Sequence, residues 1–150
     1  MPPKKEPGET YWKLVHPIWQ KLSIFDEIVR FDLEFEDAPL KARSLFAAHW
    51  CQSEVRNGGF YQFFYNSTGI LAPHAVSSFQ LLSMPQSAGL VQQAINWFEQ
   101  PYPRERRARL QQLKNVEGKK QFYSLDDKFY PLIREENGGF TKAADAYAEA

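Results

Sequence analysis

Between Ala38 and Gln100 the chain carries only five charged residues, Lys41, Arg43, Glu54, Arg56 and Glu99. Unpaired ions are costly to bury, so this tract has to supply most of the interior. Pro39, Pro73 and Pro85 each stand ahead of a helix-like pattern within it, and proline is well tolerated at a first helical position. Helices are therefore expected over about 39–56, 73–83 and 85–99. A chain of 150 residues, 43% of them hydrophobic, can close such a core as one domain without disulfide or metal.

The rest of the chain reads the same way. Tyr11, Leu14, Val15, Ile18, Trp19 and Leu22 recur at intervals of three and four and predict a helix from Thr10 to about Leu22, with Pro17 as a candidate kink. Further helices are expected over 103–115, 124–136 and 140–149. Ser23-Ile24-Phe25-Asp26 and Ser124-Leu125-Asp126-Asp127 each set a hydroxyl three residues before an acid, as a helix N-terminal box does. Sustained β alternation is absent, except that Val29 to Phe35 alternates and fits a short edge strand. The expectation is an all-α, single compact domain over 9–150 around a central buried helix. At most it holds a minor strand near 29–35, and a flexible arm, 1–8, precedes it.

Asn-Gly-Gly-Phe occurs twice, at Asn57–Phe60 and Asn137–Phe140. Asparagine and glycine accept the left-handed backbone that stops a helix, so each copy can end one helix and aim the next. The flanks differ, which points to one capping device used twice, not to a duplicated domain.

Several chemistries find no support. Cys51 is the only cysteine, and its apolar face fits an inert thiol. His16, His49 and His74 are scattered and form no pair at metal-ligand spacing, and there is neither a phosphate-binding glycine loop nor a nucleophile elbow. No cofactor, metal or enzymatic activity is expected. The opening Met1-Pro2-Pro3-Lys4-Lys5-Glu6-Pro7-Gly8 is unlike a signal peptide, and nowhere do about 18 apolar residues run together as a membrane span requires. A soluble, cytoplasmic protein is the expectation.

Lysine plus arginine, at 18, balances aspartate plus glutamate, at 18, yet the charges are segregated. Asp26, Glu27, Asp32, Glu34, Glu36 and Asp37 form an acidic stretch with Arg30 as its one base, which either is a charged loop or imitates a phosphate backbone or attracts a basic partner protein. Arg104, Arg106, Arg107 and Arg109 form a basic segment that either is a solvated helix face or meets phosphates.

On the helix over 39–56, Glu54 follows Ala47, Trp50 and Cys51 by seven, four and three residues, which places an acid toward the apolar side. It needs partners there. The amides of Gly58, Gly59 and Phe60, the side chain of Gln62, and Asn66 and Ser67 are the candidates. The constellation is either a tie across a helix corner or a small-molecule or enzymatic pocket around Glu54, Asn57, Gln62 and Asn66. Phe60-Tyr61-Gln62-Phe63-Phe64-Tyr65 is expected to pack in the core, with Tyr61 or Tyr65 sending its hydroxyl outward.

The run from Ser53-Glu54-Val55-Arg56-Asn57-Gly58-Gly59-Phe60 through Gln62-Phe63-Phe64-Tyr65-Asn66-Ser67-Thr68-Gly69 closely resembles the signature of the bacterial DNA-mimic protein nineteen family. Trp12 to Trp19, Phe46 to Trp50, Ala72 to Ala75 and Leu125 to Tyr130 also look like family positions. The resemblance implies an all-helical bacterial protein with no established enzymatic activity. It further implies protein–protein interaction, since at least one member acts as a DNA mimic that presents acidic side chains to a DNA-binding transcription factor. Mimicry asks for a broad negative surface, whereas the net charge here is zero. The leading expectation is thus a non-enzymatic interaction module whose charged patches meet a regulator or a toxin. The pocket around Glu54 and nucleic-acid binding through Arg104 to Arg109 stand as alternatives, and self-association is left open.

Overall fold

The computed structural model describes residues 4–25, 27–114 and 118–150. Among them the regular elements are all helical: α1 Glu9–Trp19, α2 Ile28–Asp37, α3 Leu40–Tyr65, α4 Ala72–Leu81, α5 Pro85–Asn96, α6 Arg106–Lys114, α7 Tyr123–Glu135 and α8 Phe140–Glu149. Short 3-10 turns, Ser67–Leu71, Gly118–Phe122 and Glu136–Gly138, join them at three corners.

The charge-poor α3 runs through the middle and packs against α1, α4, α6 and α7. Leu45, Phe46, Ala47, Ala48, Cys51 and Val55 are buried along its first part, and Phe60, Phe63 and Phe64 along its last. Phe64 meets Phe98 with ring centres 4.8 Å apart and Phe122 at 5.4 Å, while Phe60 meets Phe129 at 5.2 Å. Tyr65 remains exposed and Tyr61 half-buried, so both tyrosines keep their polar ends at the rim. A second aromatic cluster seats α1 on α3. Trp19 stacks on Trp50 at 5.0 Å, and Tyr11 Oη shares a 3.0 Å hydrogen bond with His49 Nδ1.

Three expectations are corrected. Val29 to Phe35 is not a strand but part of α2. Phe31 and Phe35, four residues apart, bury one helical face, and the apparent alternation came from apolar residues on the opposite, exposed face. Ser124 does not start a helix, because α7 already begins at Tyr123. Ser23 Oγ accepts the N–H of Phe25 in the loop before α2, whose N-cap is Glu27; Asp26 itself lies outside the described residues. Finally, α1 stops at Trp19, two residues after Pro17 and short of Leu22.

Two helix starts share one property. Neither Gly8 before α1 nor Met84 before α5 caps its helix with a side chain. A carboxylate distant in sequence does so instead. Asp145 of α8 accepts the N–H groups of Gly8 at 2.8 Å and Tyr11 at 3.0 Å. Glu136 accepts those of Gln86 at 2.7 Å and Ser87 at 2.9 Å, together with the Ser87 hydroxyl at 2.7 Å. Opposite charge at a helix N-terminus satisfies orphan donors and complements the helix dipole. Of the expected arm, Lys5 pairs with Glu149 at 3.5 Å beside this contact.

Replacing either cap by alanine is expected to cost about 1–2 kcal/mol in urea unfolding while leaving the helical circular dichroism of the native state unchanged. Glu136→Gln should recover part of the loss, since one acceptor oxygen remains.

Candidate functional site

The break in α3 is the centre of the motif-bearing region. Gly58 and Gly59 leave helical geometry, Gly59 with φ 77° and ψ 177°, and a second short rod begins at Phe60. Its first free N–H, on Phe60, donates to Asp126 Oδ1 at 2.8 Å. Asp126 is therefore a third remote cap, and burial raises its carboxyl above the usual range against the opposing effect of that hydrogen bond. A Cβ on Gly59 would come within 2.4 Å of Asp126 Oδ2, so both the backbone twist and the close carboxylate require glycine.

Glu54 lies just before the break. Its Oε2 accepts Gln62 Nε2 at 2.9 Å and Asn66 Nδ2 at 3.0 Å, which ties the rod before the corner to the rod and loop after it. Glu54 is half-buried, whereas Cys51 is fully buried. Three residues of helix leave a turn of about 60° between them, which carries the acid from the apolar face to its rim. The expected amide at Phe60 is taken by Asp126, and Ser67 opens the Ser67–Leu71 turn without contacting Glu54 in any described hydrogen bond. Outside the corner, Asn57, Gly58, Tyr61, Gln62, Tyr65 and Asn66 border an open groove of about 410 Å³.

Beyond the corner the chain folds around Arg109. This residue is fully buried, and its guanidinium donates to the carbonyl oxygens of Phe64 at 2.9 Å, Asn66 at 2.9 Å, Pro103 at 3.3 Å and Arg104 at 2.5 Å. It satisfies the orphan carbonyls at the end of α3 and holds the segment before α6 against them. A Cβ on Gly69 would stand 2.5 Å from Arg109 Nε, so that glycine is where the guanidinium lies against bare backbone. Tyr102 Oη donates to the Gly69 carbonyl at 2.7 Å, and Thr68 Oγ1 to that of buried Phe63 at 3.1 Å.

This corrects the basic segment as a surface patch. Arg109 belongs to the interior. Arg104 forms a double hydrogen bond with Asp32, at 3.0 and 2.5 Å, which holds the Asp32 carboxyl below its ordinary range. Arg106 donates to the Tyr65 carbonyl at 2.8 Å and lies over the Tyr65 ring at 5.1 Å. Arg107 is exposed. The acidic stretch is likewise divided. Asp32 is taken by Arg104, Glu34 pairs with Arg30 at 3.3 Å, and Glu27, Glu36 and Asp37 are exposed.

Among the described residues no cluster of histidine, cysteine, aspartate or glutamate has metal-binding geometry. Burial, with Glu54 nearby, pushes the Cys51 thiol up and disfavours a reactive thiolate. The roles of Asp126, Glu136, Asp145 and Arg109 were not read from the sequence. The available signal was negative: glycine or methionine preceding a helix start has no side chain to cap it, which calls for an acceptor from elsewhere.

His74 stands with its ring 4.2 Å from that of Phe35 on α2, and its pKa is lowered to about 4, first by burial, then by Arg104 and Arg43 against the opposing pull of Asp32. An unfolded histidine takes up its proton near pH 6.5, so stability is full above that value and falls as pH drops toward 4. His74→Phe should remove about 1–2 kcal/mol of the stability difference between pH 7 and pH 5, measured by urea unfolding. Gly69→Ala should be far worse than Glu54→Gln. The first displaces a buried guanidinium and is expected to cost more than about 3 kcal/mol; the second keeps one acceptor and should cost about 1 kcal/mol.

The profile of the family described as DMP19-like protein matches residues 36–150. No curated protein and no solved structure matches the chain. The matched span takes in the broken helix, the Arg109 cradle and the cap from Asp126, and the chain belongs to the DMP19-like protein family.

Proposed function

We propose that the protein is a non-enzymatic interaction module that docks a basic, amphipathic segment of a partner protein, of the kind a DNA-binding regulator presents, on the outer face of α2. The observation that carries this reading is an apolar ridge set among acids. Phe25, Val29, Leu33 and Leu40 are 82%, 71%, 67% and 56% exposed. Val29 and Leu33 lie one turn apart, across the helix from buried Phe31 and Phe35. Scattered exposed apolar residues are ordinary; here two share one face of α2, with Phe25 in the loop before that helix and Leu40 at the start of α3 after it. Exposed Glu36 and Asp37 flank that edge and Glu27 precedes it, which favours cations around an apolar stripe in the partner. Two copies meeting through this face would set acid against acid.

Family membership and the resemblance to a DNA mimic agree with a protein partner, although the support here is a mixed apolar and acidic face, not an array of negative charge. For the groove beside Glu54, the carboxylate oxygen already held by Gln62 and Asn66 favours a structural tie over a ligand site. Phosphate binding through α6 is opposed by the burial of Arg109 and the engagement of Arg104 and Arg106. Among the described residues no helix is long and apolar enough to cross a membrane.

The test is affinity capture from an extract of the parent cell, comparing the native protein with a Leu33→Glu, Glu36→Lys double variant of unchanged circular dichroism. A basic DNA-binding protein should be retained by the native form, roughly tenfold less by the variant, and should lose its DNA duplex on binding. Equal retention by both forms, or retention without competition against DNA, would overturn the proposal.

A further inference from the structure

Two grooves open along one flank of α2, beside the exposed edge of Val29 and Leu33. The first, of about 500 Å³, lies at the start of the helix, where Phe25, Ile28 and Val29 line it together with Ile70 and the segment before α6. The second, of about 260 Å³, lies at its end, where Phe35 and Glu36 line it together with Leu40 of α3 and with His74 and Leu81 of α4. Leu81 is 45% exposed and is not part of the α2 ridge. His74, with a pKa of about 4, brings no ion to that wall at neutral pH.

Charge does not select what fits these grooves. Glu27 and Glu105 stand against Arg106 and Arg109 around the first, and Glu36 against Arg43 around the second. Arg104, which also borders the first, is matched by Asp32. Spacing does select. Ile28 and Phe35, like Val29 and Glu36, are seven residues apart, so the two grooves share one side of α2 at a separation of about 10 Å along its axis. The Asp32–Arg104 pair, with Asp32 four residues after Ile28 and four before Glu36, stands between them as a ridge without net charge. A second helix laid along α2 repeats that interval with side chains at i and i+7, whereas same-face residues of an extended strand fall about 7 or about 13 Å apart.

We infer that the basic segment received on α2 is itself a helix, with one apolar side chain at i in the first groove, another at i+7 in the second, and a small or uncharged polar residue between them against the Asp32–Arg104 pair. This rests on the reading of α2 as a docking face, and it adds Leu81, on a different helix, to the contact.

Two basic peptides of equal composition serve as probes, one with its leucines seven residues apart and one with them five apart, and fluorescence anisotropy reads their binding to the full chain. The first should bind roughly tenfold more tightly, and its helical circular dichroism should rise on binding. Leu81→Glu and Val29→Glu, at opposite ends of the trough, should each weaken it roughly tenfold, although the added acid alone would attract a basic peptide. Tyr123→Glu, an exposed control on α7, should leave it unchanged. Circular dichroism of the free proteins establishes that the variants are folded. The inference is overturned by absence of binding at millimolar concentration, by equal affinity for the two peptides, by binding without gain of helix, or by full binding to Leu81→Glu. If Leu33→Glu weakens both peptides alike while spacing has no effect, docking on α2 stands and the helical anchor fails; if no variant on α2 weakens either peptide, both fail. Self-association of the protein that Leu81→Glu abolishes would overturn it too, by making the occupant a second copy of the chain.

Discussion

Helix ends capped from a distance hold this fold together. Asp145, Asp126 and Glu136, all from the last part of the chain, accept the leading amides of α1, of the second rod of α3 and of α5. Arg109 does the converse for the carbonyls that close α3. A helix terminus buried without a partner leaves several orphan groups, each costly to desolvate. Here each of these ends is closed by an ion from another helix, so the same bond finishes one element and fixes its position against a second. Aromatic packing supplies the bulk of the core; the ionic caps set which helix end meets which.

Much of this architecture was legible in the residues. Apolar spacing and proline placed most of the helices within a few residues, because those signals are local and act on one element at a time. The tie from Glu54 to Gln62 and Asn66 was within reach for the same reason, since all three lie within about two turns of a single corner. The remote partners were not. Nothing local distinguishes Asp126, which caps a helix, from its neighbour Asp127, and Arg109 reads like the other arginines of its segment until α3 closes over it. The strand expectation at Val29 to Phe35 failed for a different reason. Both faces of α2 carry apolar residues, so a period of two and a helical period with an exposed ridge look alike over so short a run.

Segregated charge along the chain resolves into a division of labour in space. Asp32 and Arg104, one from each tract, neutralise each other and pin the outlying α2 to the segment before α6. What remains exposed is an acidic edge around apolar side chains on α2. A molecule with zero net charge thus keeps a local surface of one sign, and the formal balance says little about it.

The origin of the caps has a consequence for synthesis. A growing chain on the ribosome makes α1, the broken α3 and α5 well before Asp126, Glu136 and Asp145 emerge. Those early helices must wait with bare leading amides, and the aromatic residues of α3 wait with them for α7 and α8. Completion of the tertiary structure is therefore deferred until α7 and α8 have emerged, and during that interval the hydrophobic middle of the chain is the part most in need of a chaperone.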